Sequence, residues 1–118
     1  MERWVSIRTR KRSGRKSFKA KLAESLFSKA KGIMFAAPTF TPLLFDFGRE
    51  ARLSNAIHSF FCPAFDAVFL DSQKRVTQTT VVRPWRFLVP ATPSRFLIEL
   101  PLGEAKRLGL KKGLKLAW

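Results

Sequence analysis

The chain predicts a mostly β domain of the α+β class, a small barrel-like or rolled antiparallel sheet carrying two short helices. Three observations lead there. Apolar residues make up 46% of the 118, and 12 of them are Phe, enough to build one core. Several short segments alternate apolar and polar side chains with period two, fenced by Gly, Pro, Ser and Asp. Only two segments change to helical spacing. Length and continuity predict one domain over 1–118, with residues 1–16 as a basic arm or hairpin leading into it.

The elements follow in order. Arg3 to Arg10 is a β-like segment, and Ser13-Gly14 marks a turn. Lys16 to Leu22 alternates, with Phe18, Ala20 and Leu22 on one side and Ser17, Lys19 and Lys21 on the other. Together they predict a hairpin with a very basic tip. Ala23 to Lys31 changes period, with Leu22, Leu26, Phe27 and Ala30 forming an apolar stripe, and Gly32 is a natural residue to end that helix. Ile33-Met34-Phe35 reads as a short buried strand. Pro38 and Pro42 bound a loop, and Leu43 to Phe47 is a strand. Leu53 to Phe61 reads as a strand interrupted at Pro63.

Ala67 to Leu70 and Arg75 to Val82, joined by the turn Asp71-Ser72-Gln73-Lys74, form the clearest hairpin. Arg83-Pro84-Trp85-Arg86 breaks it, and Pro90 and Pro93 fence another loop. Arg95 to Leu100 is a strand. Pro101 suits the first turn of a helix whose inner face is Leu102, Ala105 and Leu108 and which closes at Gly109. Leu114 to Trp118 is a last strand.

The formal net charge is +15, and +9 of it lies in residues 1–31. The run Arg8-Thr9-Arg10-Lys11-Arg12-Ser13-Gly14-Arg15-Lys16 is the densest. Like charges this close repel in a compact state, which places them at a solvated tip. Arg8, Arg10, Lys11, Arg12, Arg15 and Lys16 are therefore the candidate contacts to a nucleic-acid phosphate backbone. The alternative is a charged surface that maintains solubility.

Composition excludes several classes. With one cysteine, Cys62, no intrachain disulfide and no four-Cys zinc site can form. The longest stretch free of Asp, Glu, Lys and Arg runs from Gly32 to Phe45, too short to span a bilayer and broken by Pro38 and Pro42. Met1-Glu2-Arg3-Trp4 carries no apolar core of a secretory signal. A cytoplasmic protein with no membrane partner is expected. No phosphate-cradling Gly-rich loop, dinucleotide fingerprint or Gly-x-Ser-x-Gly elbow is present. No cofactor and no metal are expected.

The residues able to carry chemistry are few. His58 is the sole histidine, and on a strand it would stand about 13 Å from Cys62, too far to share a metal. Asp66 and Asp71 flank Ala67 to Leu70; five apart, they fall on opposite faces, Asp71 starting a turn and Asp66 capping the strand entrance. Glu99 sits between Ile98 and Leu100, outward on a half-exposed strand, paired to a basic neighbour, or buried, in which case its pKa is worth measuring. Phe60, Phe61, Trp85 and Phe87 are either core or a stacking surface. Trp85 is the best stacking candidate because Arg83 and Arg86 flank it. The pocket candidates are thus His58, Phe60, Asp66, Trp85 and Glu99, with no catalytic set among them.

Five segments occur together in a recognisable order: Lys31-Gly32-Ile33-Met34-Phe35, Ile57-His58-Ser59-Phe60-Phe61, Asp66 to Asp71, Arg83-Pro84-Trp85-Arg86, and Ile98 to Gly109. Over approximately residues 17–118 the chain resembles the domain of unknown function 192 family in its archaeal style. The resemblance implies a compact β-rich, barrel-like domain with short helices, and neither a known reaction nor an established cofactor. Three places depart from the family pattern. The usual Gly-Asp of the final turn is Gly113-Leu114, the Pro-Ala-Gly-Thr start of the last helix is Pro101-Leu102-Gly103-Glu104, and the link Cys62-Pro63-Ala64-Phe65 is rewritten.

Three functions are compatible with these residues. The first is a non-catalytic binding or accessory domain of unknown ligand. The second is a small basic RNA-binding protein. The third is an enzyme or carbohydrate binder using a cleft near His58, Asp66 and Trp85. The partner is otherwise unknown.

Overall fold

A computed structural model describes residues 3–9, 15–23 and 32–118. Among the described residues, nine strands and one short helix follow in order: β1 Arg3–Thr9, β2 Ser17–Ala23, β3 Leu43–Ala51, β4 Ile57–His58, β5 Phe65–Leu70, β6 Val76–Val82, β7 Phe87–Leu88, β8 Ser94–Pro101, α1 Glu104–Arg107 and β9 Leu116–Ala117. Seven strands form one sheet in the order β6-β5-β8-β3-β2-β1-β9, and β4 pairs with β7 in a separate ribbon.

The long sheet curls until its two edges meet. Val76 N–H donates to Leu114 C=O at 2.8 Å, Gly113 N–H to Val76 C=O at 2.8 Å, and Leu116 N–H to Lys74 C=O at 2.9 Å. Those bonds tie the start of β6 to the segment around β9, so the roll closes at that end and leaves the rest of the β6 edge unpaired among the described residues. Every strand of the sheet sends apolar side chains into the interior: Ile7, Ala20, Leu44, Val68, Val76, Ile98 and Leu116 all belong to one buried cluster. A second cluster, with Phe45, Phe65, Phe69 and Leu97, lies on the opposite face of the central strands, where Ile33 and Cys62 cover it. β5 is therefore buried along its whole length, which is why its sequence is nearly all apolar.

The mostly β, barrel-like class stands, and several details of the sequence reading change. The sheet is not purely antiparallel, since β2 and β3 run parallel, Lys21 opposite Leu43 and Ala23 opposite Phe45. Parallel neighbours require a long connection, and residues 24–42 separate the two strands along the sequence. Ile33-Met34-Phe35 is a turn, because Ala36 N–H reaches back to Ile33 C=O at 3.0 Å. Of the strand expected over Leu53 to Phe61, β4 alone forms, and the last strand is shortened to Leu116–Ala117.

The last helix starts at Glu104 rather than at Pro101, which ends β8. Asp66 explains the late start: its Oδ2 accepts the Gly103 and Ala105 N–H groups at 3.0 Å each. The helix expected from Ala23 lies, from residue 24 onward, outside the described residues; Ala23 itself closes β2.

Candidate functional site

Ser59 joins the two loops that build the site. It is fully buried and spends every polar group on the partner loop or on its own turn. Its N–H donates to Arg86 C=O at 2.8 Å, and its C=O accepts N–H bonds from Cys62 at 3.1 Å and Trp85 at 3.0 Å. Its hydroxyl donates to Arg83 C=O at 2.6 Å and accepts the Arg86 N–H at 2.7 Å. The loop after β4 and the loop before β7 are thereby held as one unit. A third piece is added by Phe35, whose N–H donates to Phe61 C=O at 2.8 Å.

This framework fixes an aromatic platform in water. Phe35 and Phe61 stack at 5.2 Å, Phe61 meets Trp85 edge-on at 4.5 Å, and Phe60 contacts Trp85 at 5.5 Å and Phe87 at 5.2 Å. Phe35, Phe61, Trp85 and Phe87 are 74%, 51%, 55% and 73% exposed, values a core aromatic never has. Three of them also hold left-handed backbone: φ is 62° at Phe35, 62° at Phe61 and 61° at Trp85. A bulky side chain there is an outlier that the surrounding bonds must force. Arg83 and Arg86 are exposed on either side of Trp85.

Below the platform lies a buried acid. Glu99 is 4% exposed, and among the described residues no cation is paired with its carboxyl. Burial pushes its pKa up to about 8, so the neutral form prevails at neutral pH. The outward and paired alternatives are corrected in favour of the buried one: β8 is the strand between β3 and β5, and both of its faces are covered. Cys62 is buried too, and its thiol is raised to about 11 by burial and then by the Glu99 charge.

The sequence candidates are not gathered in one pocket. Phe60 and Trp85 are platform members, and His58 adjoins them with its ring 5.0 Å from Phe60. The His58 Nδ1 accepts the Phe60 N–H at 3.1 Å. The strand spacing expected between His58 and Cys62 is replaced by a turn, closed by the bond from Cys62 N–H to Ser59 C=O. Asp66 serves the start of α1 instead of capping the strand entrance, and Asp71 holds its turn by accepting N–H bonds from Gln73 and Arg75. Glu99 sits in the interior.

Of the basic candidates, Arg8, Arg15 and Lys16 are exposed, Lys16 donating from Nζ to Arg107 C=O at 2.7 Å. Arg10, Lys11 and Arg12 lie outside the described residues. Among the described residues no three His, Cys, Asp or Glu side chains are grouped to hold a metal ion, and no helix is long and apolar enough to cross a membrane. Sequence reasoning missed Ser59 and the outward Phe35. A lone Ser gives no pattern, and Phe35 follows two apolar residues that mimic a strand.

Known proteins share this architecture. A protein of unknown function from Novosphingobium aromaticivorans superposes with a TM-score of 0.80 at 26% identity, covering 98% of this chain and 85% of that one. A putative transcription regulator from Sinorhizobium meliloti gives 0.83 at 23% identity, covering 98% and 93%, a likeness of fold alone. A UPF0127 protein of Pyrococcus furiosus is 34% identical over 99 residues, 83% of this chain and 84% of that protein. One of Pyrococcus abyssi is 37% identical over 101 residues, 85% and 86%. The family model DUF192, described as Uncharacterized ACR, matches residues 7–118. On this match and those relatives, the chain belongs to the DUF192 family of uncharacterised proteins.

Proposed function

We propose that this chain is a non-catalytic binding domain of the cytoplasm whose ligand is single-stranded nucleic acid, RNA in the first instance. The observation that carries the reading is the trio Phe35, Phe61 and Trp85, three contacting and exposed rings on left-handed backbone. Strain of about 1–3 kcal/mol for each such residue persists only where the fold enforces it, and it gathers at binding surfaces. Base stacking on exposed rings needs no particular sequence, because every base has a π face. Arg83 and Arg86 beside Trp85 supply the cations that a phosphate backbone requires. Arg8, Arg15 and Lys16 extend the positive field, and the net charge of +15 steers a polyanion toward the chain. Phe35, Phe61 and Trp85, with Phe60 and His58 beside them, form the contact set in this reading, and Glu99 packs against Gly32 at the start of the turn that carries Phe35.

The test is fluorescence anisotropy of a labelled oligo(U) RNA with the full chain, across a salt series. Trp85→Ala and Phe61→Ala should each weaken binding roughly 5- to 150-fold, the loss of one stacked base. Arg83→Ala with Arg86→Ala should lower the salt slope by about 0.7 for each phosphate contact removed. Heparin should bind without regard to Trp85. Equal affinity of the Trp85 variant and the parent for RNA would leave bare electrostatics and end the reading.

A further inference from the structure

Away from the platform, an open cleft of about 560 Å³ separates β6 from α1 and the turn that follows it. Thr79 and Val81 form one wall, Leu102 and Leu110 the other, and Lys106 and Lys111 stand at the rim. Val81 and Leu102 are largely exposed despite their apolar side chains.

The wall of this cleft is a sheet edge. β6 is the terminal strand of the seven, and its first residue is satisfied by the chain itself, with Val76 bonded through both N–H and C=O to residues 113 and 114. Beyond Val76, among the described residues, no main chain pairs with the outer side of β6. Alternate residues there present unpaired N–H and C=O groups, the template to which an extended segment adds.

The charge around the edge is one-sided. Lys106 and Lys111 are exposed and unpaired among the described residues. The single acid in the lining, Asp66, already accepts two backbone N–H groups through Oδ2. A second copy of this chain, itself at +15, would be repelled.

We infer that the open edge of β6 over Thr79–Val81 receives an extended acidic peptide of a partner protein. The peptide pairs with it as an added strand, sets apolar side chains between Val81 and Leu102, and places its carboxylates on Lys106 and Lys111. This site is independent of the aromatic platform.

The experiment titrates the full, isotope-labelled chain with a blocked peptide of alternating Glu and Val. A second peptide, of alternating Glu and Pro, has equal charge and no ability to pair as a strand. Amide exchange should slow within Thr79–Val81 with the Glu/Val peptide and stay unchanged with the Glu/Pro one. Lys106→Glu with Lys111→Glu should weaken the Glu/Val peptide by about tenfold, as two rim ion pairs would. Trp85→Ala should leave that peptide's affinity as it was, which separates this site from the nucleic-acid reading. Unslowed exchange at Thr79–Val81, equal effects of the two peptides, or an unaffected double lysine variant would each overturn the inference.

Discussion

The Glu99 carboxyl lies against the backbone of Gly32 so closely that a Cβ at that position would stand 2.9 Å from Oε1. Gly32 also holds φ +52°, a conformation that suits glycine. Gly32→Ala meets both obstacles at once and should cost about 1–3 kcal/mol of stability, read from urea unfolding. The turn it begins carries Phe35, so the same variant should loosen the platform. A stability equal to the parent's would show that the turn and the acid are not packed as described.

Glu99 makes stability depend on pH in a definite sense. Its folded pKa, about 8, lies above the ordinary 4.5, so the folded chain keeps a proton that the unfolded chain gives up. Its contribution is fully present below about 4.5, falls as pH rises toward 8, and levels off above. Glu99→Gln keeps the shape without the charge. Its advantage over the parent should grow across that window and reach a plateau above it, in unfolding curves taken at pH 5, 7 and 9. A constant difference between the two at all three values would be the contrary result.

Cys62 should be inert in the native state. Its pKa is raised from 9.0 to about 11, by burial first and by the Glu99 charge once that acid ionises, which lowers the thiolate fraction before shielding by burial is counted. Alkylation by iodoacetamide, followed by mass, should be slow in the folded chain and fast in urea. Removing the Glu99 charge by Glu99→Gln should speed the native reaction at alkaline pH, because that charge disfavours the thiolate.

Ser59→Ala would leave the Arg86 N–H without its 2.7 Å acceptor and the Arg83 C=O without its 2.6 Å donor. The expected cost is about 1–3 kcal/mol, as for other buried groups stripped of a partner. Faster amide exchange should concentrate at Trp85 and Arg86, with strands β5 and β8 unchanged. Uniform acceleration across the sheet would mean that Ser59 supports the core rather than the joint between two loops.

Local pattern revealed much of this chain. The alternation in Lys16 to Leu22 and Arg75 to Val82, the Asp71 turn and the late helix ending near Gly109 could all be read because each depends on neighbours a few residues away. The charge excess and the lone cysteine are likewise properties of composition. The Arg-flanked Trp85 was legible as a stacking candidate.

Long-range packing decided the rest. Phe35 and Ile33 look alike in sequence, yet one is buried and the other exposed, because a left-handed residue at Phe35 turns its ring toward Phe61. Asp66 and Gly103 meet through pairing of β5 with β8, a contact that no spacing announces. The depth of Glu99 depends on strands on both sides and on the turn above it. The sequence by itself located the seven strands of the main sheet and determined how much core they can make and what sign of charge surrounds it. Only the tertiary structure decided which aromatics face water, where the acid is hidden and which edge stays open, because burial and pairing are relations between residues far apart along the chain.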